Sequence, residues 1–485
     1  MSNFHDVPCD SPTPHRAAAR ARSTPLNTAL SVILWAWVST SGAAAQEPVP
    51  LLTDSASFLI ATDALNGSMT GNSLGEAAVV WEDPAGIGGR VWNADGSVRI
   101  EEIRLRPMAF PETSPSVGLN DAGELVVGWV RNTSVFPPAT FRLLYRRFDG
   151  SGDPAGDVIT ALPFLGWGAA GLTPVHLEED GAVIVLGAGV TESDYGVVLR
   201  EFDAEDEPMG EAALVGGGLP SFPYSIRRLV APGGESLVVW GSLIDEGPGW
   251  RELRLEGRFF DAQGGPLGGP FEIADPAAGF GAAWHSSAGY LVVWNRPAGE
   301  VVGGGNPAPF SIRGRMVSPQ GLGPELVIKA EEDGELSGNF FQLWSLAVAV
   351  DPEGGSLVLW SQELPALGGE FGIFGQRLAP DLGLLGDRFS LQQPSGTSRL
   401  QPMAVATGPG RFFLAWSRSA GRGSTTEMRG LRLRFPETGA PAPTPGNGSG
   451  ISVLTAAGRA FGPKGSATAK SPIRLDTFKG LFAGS

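Results

Sequence analysis

The chain has 485 residues and a mass of 50.5 kDa, too long for one small module, and its 70 Gly and 40 Pro argue against long helices. With 42% hydrophobic and 18% charged residues it is globular, and its Gly plus Pro content stays below that of collagen or low-complexity chains. A formal charge of −16 disfavours nucleic acid and anionic membrane as partners, and a single cysteine excludes intrachain disulfides, Cys-based zinc sites and thiol nucleophiles.

The first 45 residues read as a signal peptide. Arg16, Arg20 and Arg22 precede the apolar run from Ala29 to Val38, and small residues at Ala43 and Ala45 form an A-x-A cleavage site, predicting a cut after Ala45. About ten strongly apolar residues fall short of the ~20 that span a bilayer, so no transmembrane anchor is expected. Cys9 lies ahead of the apolar run, where a lipoprotein cysteine would follow it. The expected location is secreted, periplasmic or cell-surface. Residues 1–45 carry +1 and residues 441–485 carry +4, so the total of −16 leaves −21 on residues 46–440.

From residue 76 onward the chain repeats. Apolar runs end at Trp81, Trp129, Trp240, Trp294, Trp360 and Trp416, and a further copy, Ala182 to Leu186, has Leu in the Trp position. Each run follows a glycine, at Gly75, Gly123, Gly181, Gly234, Gly289, Gly355 and Gly410, expected to be a turn residue with positive φ. A second column follows, with Arg90, Arg146, Arg200, Arg258, Arg315 and Gln376 at like positions, and most copies close on a tight turn such as Asn93–Gly96, Asp149–Gly152 or Asp261–Gly264. Further apolar segments flank both columns, giving four short strands per repeat at a period near 56 residues. The expected fold is all-β, a seven-bladed β-propeller of four-stranded antiparallel blades occupying residues 46–435. The six tryptophans are expected to be structural, filling the space between blades, each worth roughly 4–6 kcal/mol of burial before the opposing entropy.

The last copy lacks a fourth strand, while Ser57–Thr62 has strand composition and no partner in its own repeat. Residues of about 50–62 are therefore expected to close the ring as the outer strand of the last blade. Residues 436–450 form a Pro/Gly-rich linker, and residues 451–485, with three of the four lysines, a basic flexible tail.

The segments Gly234-x-x-Leu237-Val-Val-Trp240 with Gly257-Arg-Phe-Phe-Asp-Ala-Gln-Gly264, and Leu357-Val-Leu-Trp360 with Ile373-Phe-Gly-Gln-Arg-Leu378, resemble the repeats of bacterial secreted and cell-surface β-propeller proteins. The resemblance covers roughly residues 50–435 and implies an exported, adhesive or ligand-binding propeller. Its motifs speak to fold and carry no activity with them.

Loops joining second and third strands vary in length and, with the connections between blades, should gather on one face, where binding surfaces are usually built. They and the inter-blade segments hold Phe136, Tyr195, Asp245, Trp250, Phe310, Phe371, Trp167, Tyr224 and Trp344. Rings interleaved with carboxylates suit a carbohydrate, so Trp167, Tyr195, Trp250, Asp245, Tyr224 and Trp344 are the candidate ligand-binding residues. The expected protein is a monomer that binds an extracellular glycan, slightly ahead of a protein partner, with no cofactor and no metal site. A protein-interaction scaffold is the alternative. A polysaccharide hydrolase or lyase ranks lower, because the inner strands read as mainly Ala, Val, Ser and Leu apart from Glu178 and Glu179; no catalytic residue is assigned and the chain is expected not to be an enzyme. Asp203–Glu207 lacks the spacing of a calcium loop and reads as a solvated turn.

Overall fold

The computed structural model describes residues 52–53, 57–105, 112–132, 141–165, 174–190, 195–219, 223–244, 252–277, 279–285, 289–297, 310–331, 346–364, 370–392, 401–419 and 426–435. They form seven antiparallel sheets and no helix. The fold is a seven-bladed β-propeller. The inner strands are Leu65–Gly71, Glu112–Leu119, Val175–Leu177, Pro223–Val230, Gly279–His285, Leu346–Val350 and Pro402–Gly408. Each pairs with the second strand of its blade, that strand with a third, and the third with an outer strand. Two sheets count five strands only because their outer strand is in two pieces, Gly321–Leu322 with Leu326–Lys329 in blade 5 and Leu52–Thr53 with Phe58–Thr62 in blade 7.

The second strands are buried on both faces, which is why they read as continuous apolar runs rather than alternating ones. From Ala77 to Trp81 no residue exceeds 4% exposure, and Leu237 to Trp240 are all at 0%. All six column tryptophans are buried, and Leu186 is buried in the seventh copy. Trp240 joins a cluster shared by blades 2, 3 and 4, and Trp294 one shared by blades 4 and 5, so the column cements neighbouring blades as its position predicts. Close packing fixes the residues beside it: a Cβ on Gly88 would lie 2.7 Å from the indole of Trp81.

The expected turn glycines have positive φ at Gly75, Gly123, Gly181, Gly234, Gly289 and Gly410. In the sixth blade the position shifts by one, with Gly354 at +86° where Gly355 was expected. Of the turns joining third and fourth strands, two carry a non-glycine residue at positive φ, Asp206 at +67° and Leu382 at +68°. Asp206 has a reason to stay. Its carboxylate accepts the Tyr145 hydroxyl at 2.8 Å and the Arg147 guanidinium at 2.6 Å from the preceding blade. The segment 203–207 is thus a joint between blades, not merely the solvated turn expected.

The repeated arginine of the third strand also acquires a role. Outer strands slip in register against third strands in several blades, leaving carbonyls without ladder partners. Arg90 reaches across to donate to the Glu101 carbonyl at 2.9 Å, Arg146 to Gly156 at 2.9 Å and Arg258 to Gly268 at 3.0 Å. Gln376 does the same to the Leu385 carbonyl at 3.2 Å, which explains why an amide replaces guanidinium there without loss of the blade.

Ring closure follows the expectation. Leu52 and Thr53 pair with Arg434 and Leu433, and Phe58 to Thr62 run antiparallel to Gly430 to Glu427. The Phe58 ring stacks on Phe413 with centroids 5.9 Å apart, and Ile60 is buried beside Met428. The signal peptide, the linker and the basic tail lie outside the described residues.

Candidate functional site: the axial channel

Most inner strands border a channel along the propeller axis, with a cavity of about 440 Å³. Inter-strand registers align the blades level by level. The residue opposite the one before each column tryptophan, or before Leu186, is Ser68, Ser116, Val175, Arg227, Gly281, Ala347 or Met403. Six of these are small or apolar and one is an arginine. The next level towards the short turns holds Met69, Val117, His176, Arg228, Ala282, Val348 and Ala404. Trp284, opposite Tyr290, sits two levels further on, roughly 10 Å along the strand direction from the Arg227 level at ~3.3 Å per residue.

Alternation along Pro223–Val230 separates the two arginines. Ile226 packs into the cluster shared with blade 3, and Arg228 points the same way; Leu229 packs towards Phe280 and Tyr290 of blade 5, and Arg227 shares that side. Trp284, half-buried, packs into the same seam between blades 4 and 5. The channel wall therefore carries Arg227, Arg228 and an aromatic ring on a background of small and apolar side chains.

Arg228 is fully engaged. It donates to Glu178 at 2.6 Å and to the Ser236 hydroxyl at 3.3 Å, and His176 lies 3.7 Å from the same Glu178 carboxylate. Burial raises the Glu178 carboxyl, but hydrogen bonding and charge from His176, followed by those of Arg228, outweigh it and bring the pKa to about 2. The nearby Glu201 goes the other way: burial raises it, Arg228 lowers it and the Glu178 charge raises it again, for a net increase. Arg227 has no hydrogen-bond or ion-pair partner among the described residues, and burial alone lowers its pKa.

The two carboxylates singled out in the sequence part company here. Glu178 turns to blade 4 and Arg228, while the exposed Glu179 accepts the Asp121 backbone N–H at 2.9 Å from blade 2. Asp121 in turn accepts the Ser73 N–H of blade 1 at 2.9 Å, so these turns are stitched from blade to blade. Among the described residues no three His, Cys, Asp or Glu side chains gather as a metal site, and no helix is long and apolar enough to cross a membrane.

Of the six candidate ligand-binding residues, Trp167, Asp245, Trp250 and Trp344 lie outside the described residues. Tyr195 opens the third strand of blade 3 and is 37% exposed, and Tyr224 lies on the inner strand of blade 4, three residues before Arg227. Phe310 and Phe371, placed on loops in the sequence, instead begin third strands and are buried at 1% and 5%. Arg227, Arg228 and His176 were missed. The signal was present in Ser225-Ile-Arg-Arg-Leu-Val230, where two arginines occupy an inner strand that elsewhere reads Ala-Val-Ala.

No family model and no curated protein matches the sequence. Solved structures share its fold at low identity. A protein of unknown function from Dyadobacter fermentans is 14% identical over 69% of this chain and 97% of its own, with a TM-score of 0.42. The α-L-arabinofuranosidase of Fusarium graminearum, solved with arabinobiose, is 15% identical over 67% of this chain and 95% of its own, with a TM-score of 0.41. A Hadza microbial sialidase is 9% identical over 77% and 68%, with a TM-score of 0.40. At such identities and TM-scores the likeness assigns this chain no activity. The expectation that the chain is not an enzyme is nevertheless corrected, since the structures resembling it include glycoside hydrolases and a non-catalytic role has no support. What the comparisons leave in place is a seven-bladed β-propeller whose structural neighbours include carbohydrate-active enzymes.

Proposed function

We propose that this protein is exported and takes a carbohydrate ligand in its axial channel. The observation that carries the proposal is the wall of that channel, where Trp284 and the polar side chains of Arg227 and His176 stand among small and apolar residues such as Gly281, Ala282, Ala347 and Met403. A sugar needs this combination: a ring face for its C–H surface, a few directional polar groups, and little steric bulk. A volume of about 440 Å³ falls within the range of small-ligand sites and accommodates one or two sugar rings.

The test is calorimetric titration of the full chain with a panel of oligosaccharides, with reducing-end release followed on the same samples. Trp284→Ala is expected to weaken binding at least tenfold while the variant stays folded, with a cooperative melt at lower temperature because of the packing lost in the seam. Failure of every oligosaccharide to bind, or unchanged affinity in Trp284→Ala, overturns the proposal. Reducing-end release shows whether the bound sugar is also cleaved.

A further inference from the structure

We propose that Arg227 is a recognition residue for the acidic group of one sugar unit, a uronate carboxylate or a sulfate ester; this rests on the carbohydrate reading above. At its level of the channel the six other blades contribute Ser68, Ser116, Val175, Gly281, Ala347 and Met403, so Arg227 is the sole charge in that ring. No described residue answers it. The neighbouring Arg228 is already neutralised by Glu178 at 2.6 Å and held by Ser236, whereas Arg227 has no acceptor among the described residues. A half-buried cation without an acceptor carries a desolvation cost, and at the same level the other blades place Ser, Val, Gly, Ala or Met instead.

The missing acceptor defines the ligand. A guanidinium presents a planar fork that matches a carboxylate or a sulfate oxygen pair through two parallel hydrogen bonds. One unpaired cation balances one negative charge. The −21 carried by residues 46–440 repels anions at long range, but surface charges are screened over ~8 Å at physiological salt, so a group within the channel is governed by the cation beside it. On the face that blade 5 turns towards blade 4, the inner strand carries the small Ala282 beside Trp284. Trp284, in the same seam, offers the ring on which the sugar lies.

The experiment compares each acidic ligand with its neutral twin on the full chain: oligogalacturonate, oligoglucuronate and oligomannuronate against their methyl esters, and sulfated oligosaccharides against the desulfated sugars. The expected result is one acidic series at least tenfold tighter than its twin, with that preference erased in Arg227→Gln and partly kept in Arg227→Lys. The series showing the preference identifies carboxylate or sulfate. Because the substitution breaks no hydrogen bond or ion pair to a described residue, Arg227→Gln without ligand is expected to melt no lower than the wild type. Equal affinity for acid and neutral twin in every series, or a preference surviving in Arg227→Gln, overturns this inference while leaving the carbohydrate reading intact. Absence of binding by every sugar, charged or neutral, overturns both.

Discussion

Replacing Glu178 by Gln tests how the seam between blades 3 and 4 is held. The carboxylate sits 2.6 Å from Arg228, whose side chain is 5% exposed, and its pKa falls from 4.5 to about 2. A shift of that size corresponds to roughly 3 kcal/mol at ~1.4 kcal/mol per unit. A quarter of the Glu178 side chain is exposed, so about 2 kcal/mol is the working figure. The sign follows from the depressed pKa: this stability is complete above pH 4.5 and disappears as pH falls towards 2. At pH 7, Glu178→Gln leaves Arg228 buried with no counter-charge, a loss of about 3 kcal/mol. Urea unfolding followed by tryptophan fluorescence at pH 7, 5, 4, 3 and 2.5 should show the gap between wild type and variant narrowing by about 2 kcal/mol below pH 4.5. A gap that stays constant across that window would refute the assignment of the low pKa to this pair.

Other parts of the architecture give sharper single readings. Trp294→Ala, at a side chain 1% exposed, is expected to cost about 3–5 kcal/mol in chemical denaturation; a loss under 1 kcal/mol would mean that the column does not cement the blades. Gly88→Ala puts a methyl 2.7 Å from the Trp81 indole and should destabilise by about 1–3 kcal/mol, an effect that a Trp81→Leu background ought to relieve. Removing residues 46–62 strips the outer strand from the last blade and leaves Thr426–Arg434 as an open edge. Light scattering and thermal melts should reveal self-association and a lower, broader transition, whereas a monomer with wild-type melting would show that closure by the N-terminal strand is dispensable.

The fold was legible because propeller packing writes itself on the chain at fixed intervals. A strand buried on both faces must be apolar throughout, so the six tryptophans and the runs before them stood out without any alignment. Closure was legible from a deficit, a last repeat short of one strand and an orphan strand at Ser57–Thr62. The site was much less so. Loop aromatics drew attention as composition, yet whether a ring is exposed depends on where a strand begins, and Phe310 and Phe371 fall just inside strands and are buried. Arg227 and Arg228 are adjacent and alike in sequence, and only the face on which each lands separates a paired structural arginine from one without an acceptor among the described residues. Knowing this needs the register of seven inner strands at once, which no local pattern contains.

The strand that closes the ring also sets the order in which the molecule can be finished. Ser57 accepts a hydrogen bond from Arg429, 372 residues later, and Phe58 to Thr62 have no blade to join until the last repeat has been made. Blades 1 to 6 each complete their sheets from contiguous chain and can form as synthesis proceeds. The earliest strand of the propeller is therefore the last to be seated, and its pairing carries the largest loop-closure entropy in the protein. Assembly of the blades and completion of the ring become separable events in time. Between them the half-built seventh blade and the waiting segment each expose an edge that a second chain can satisfy.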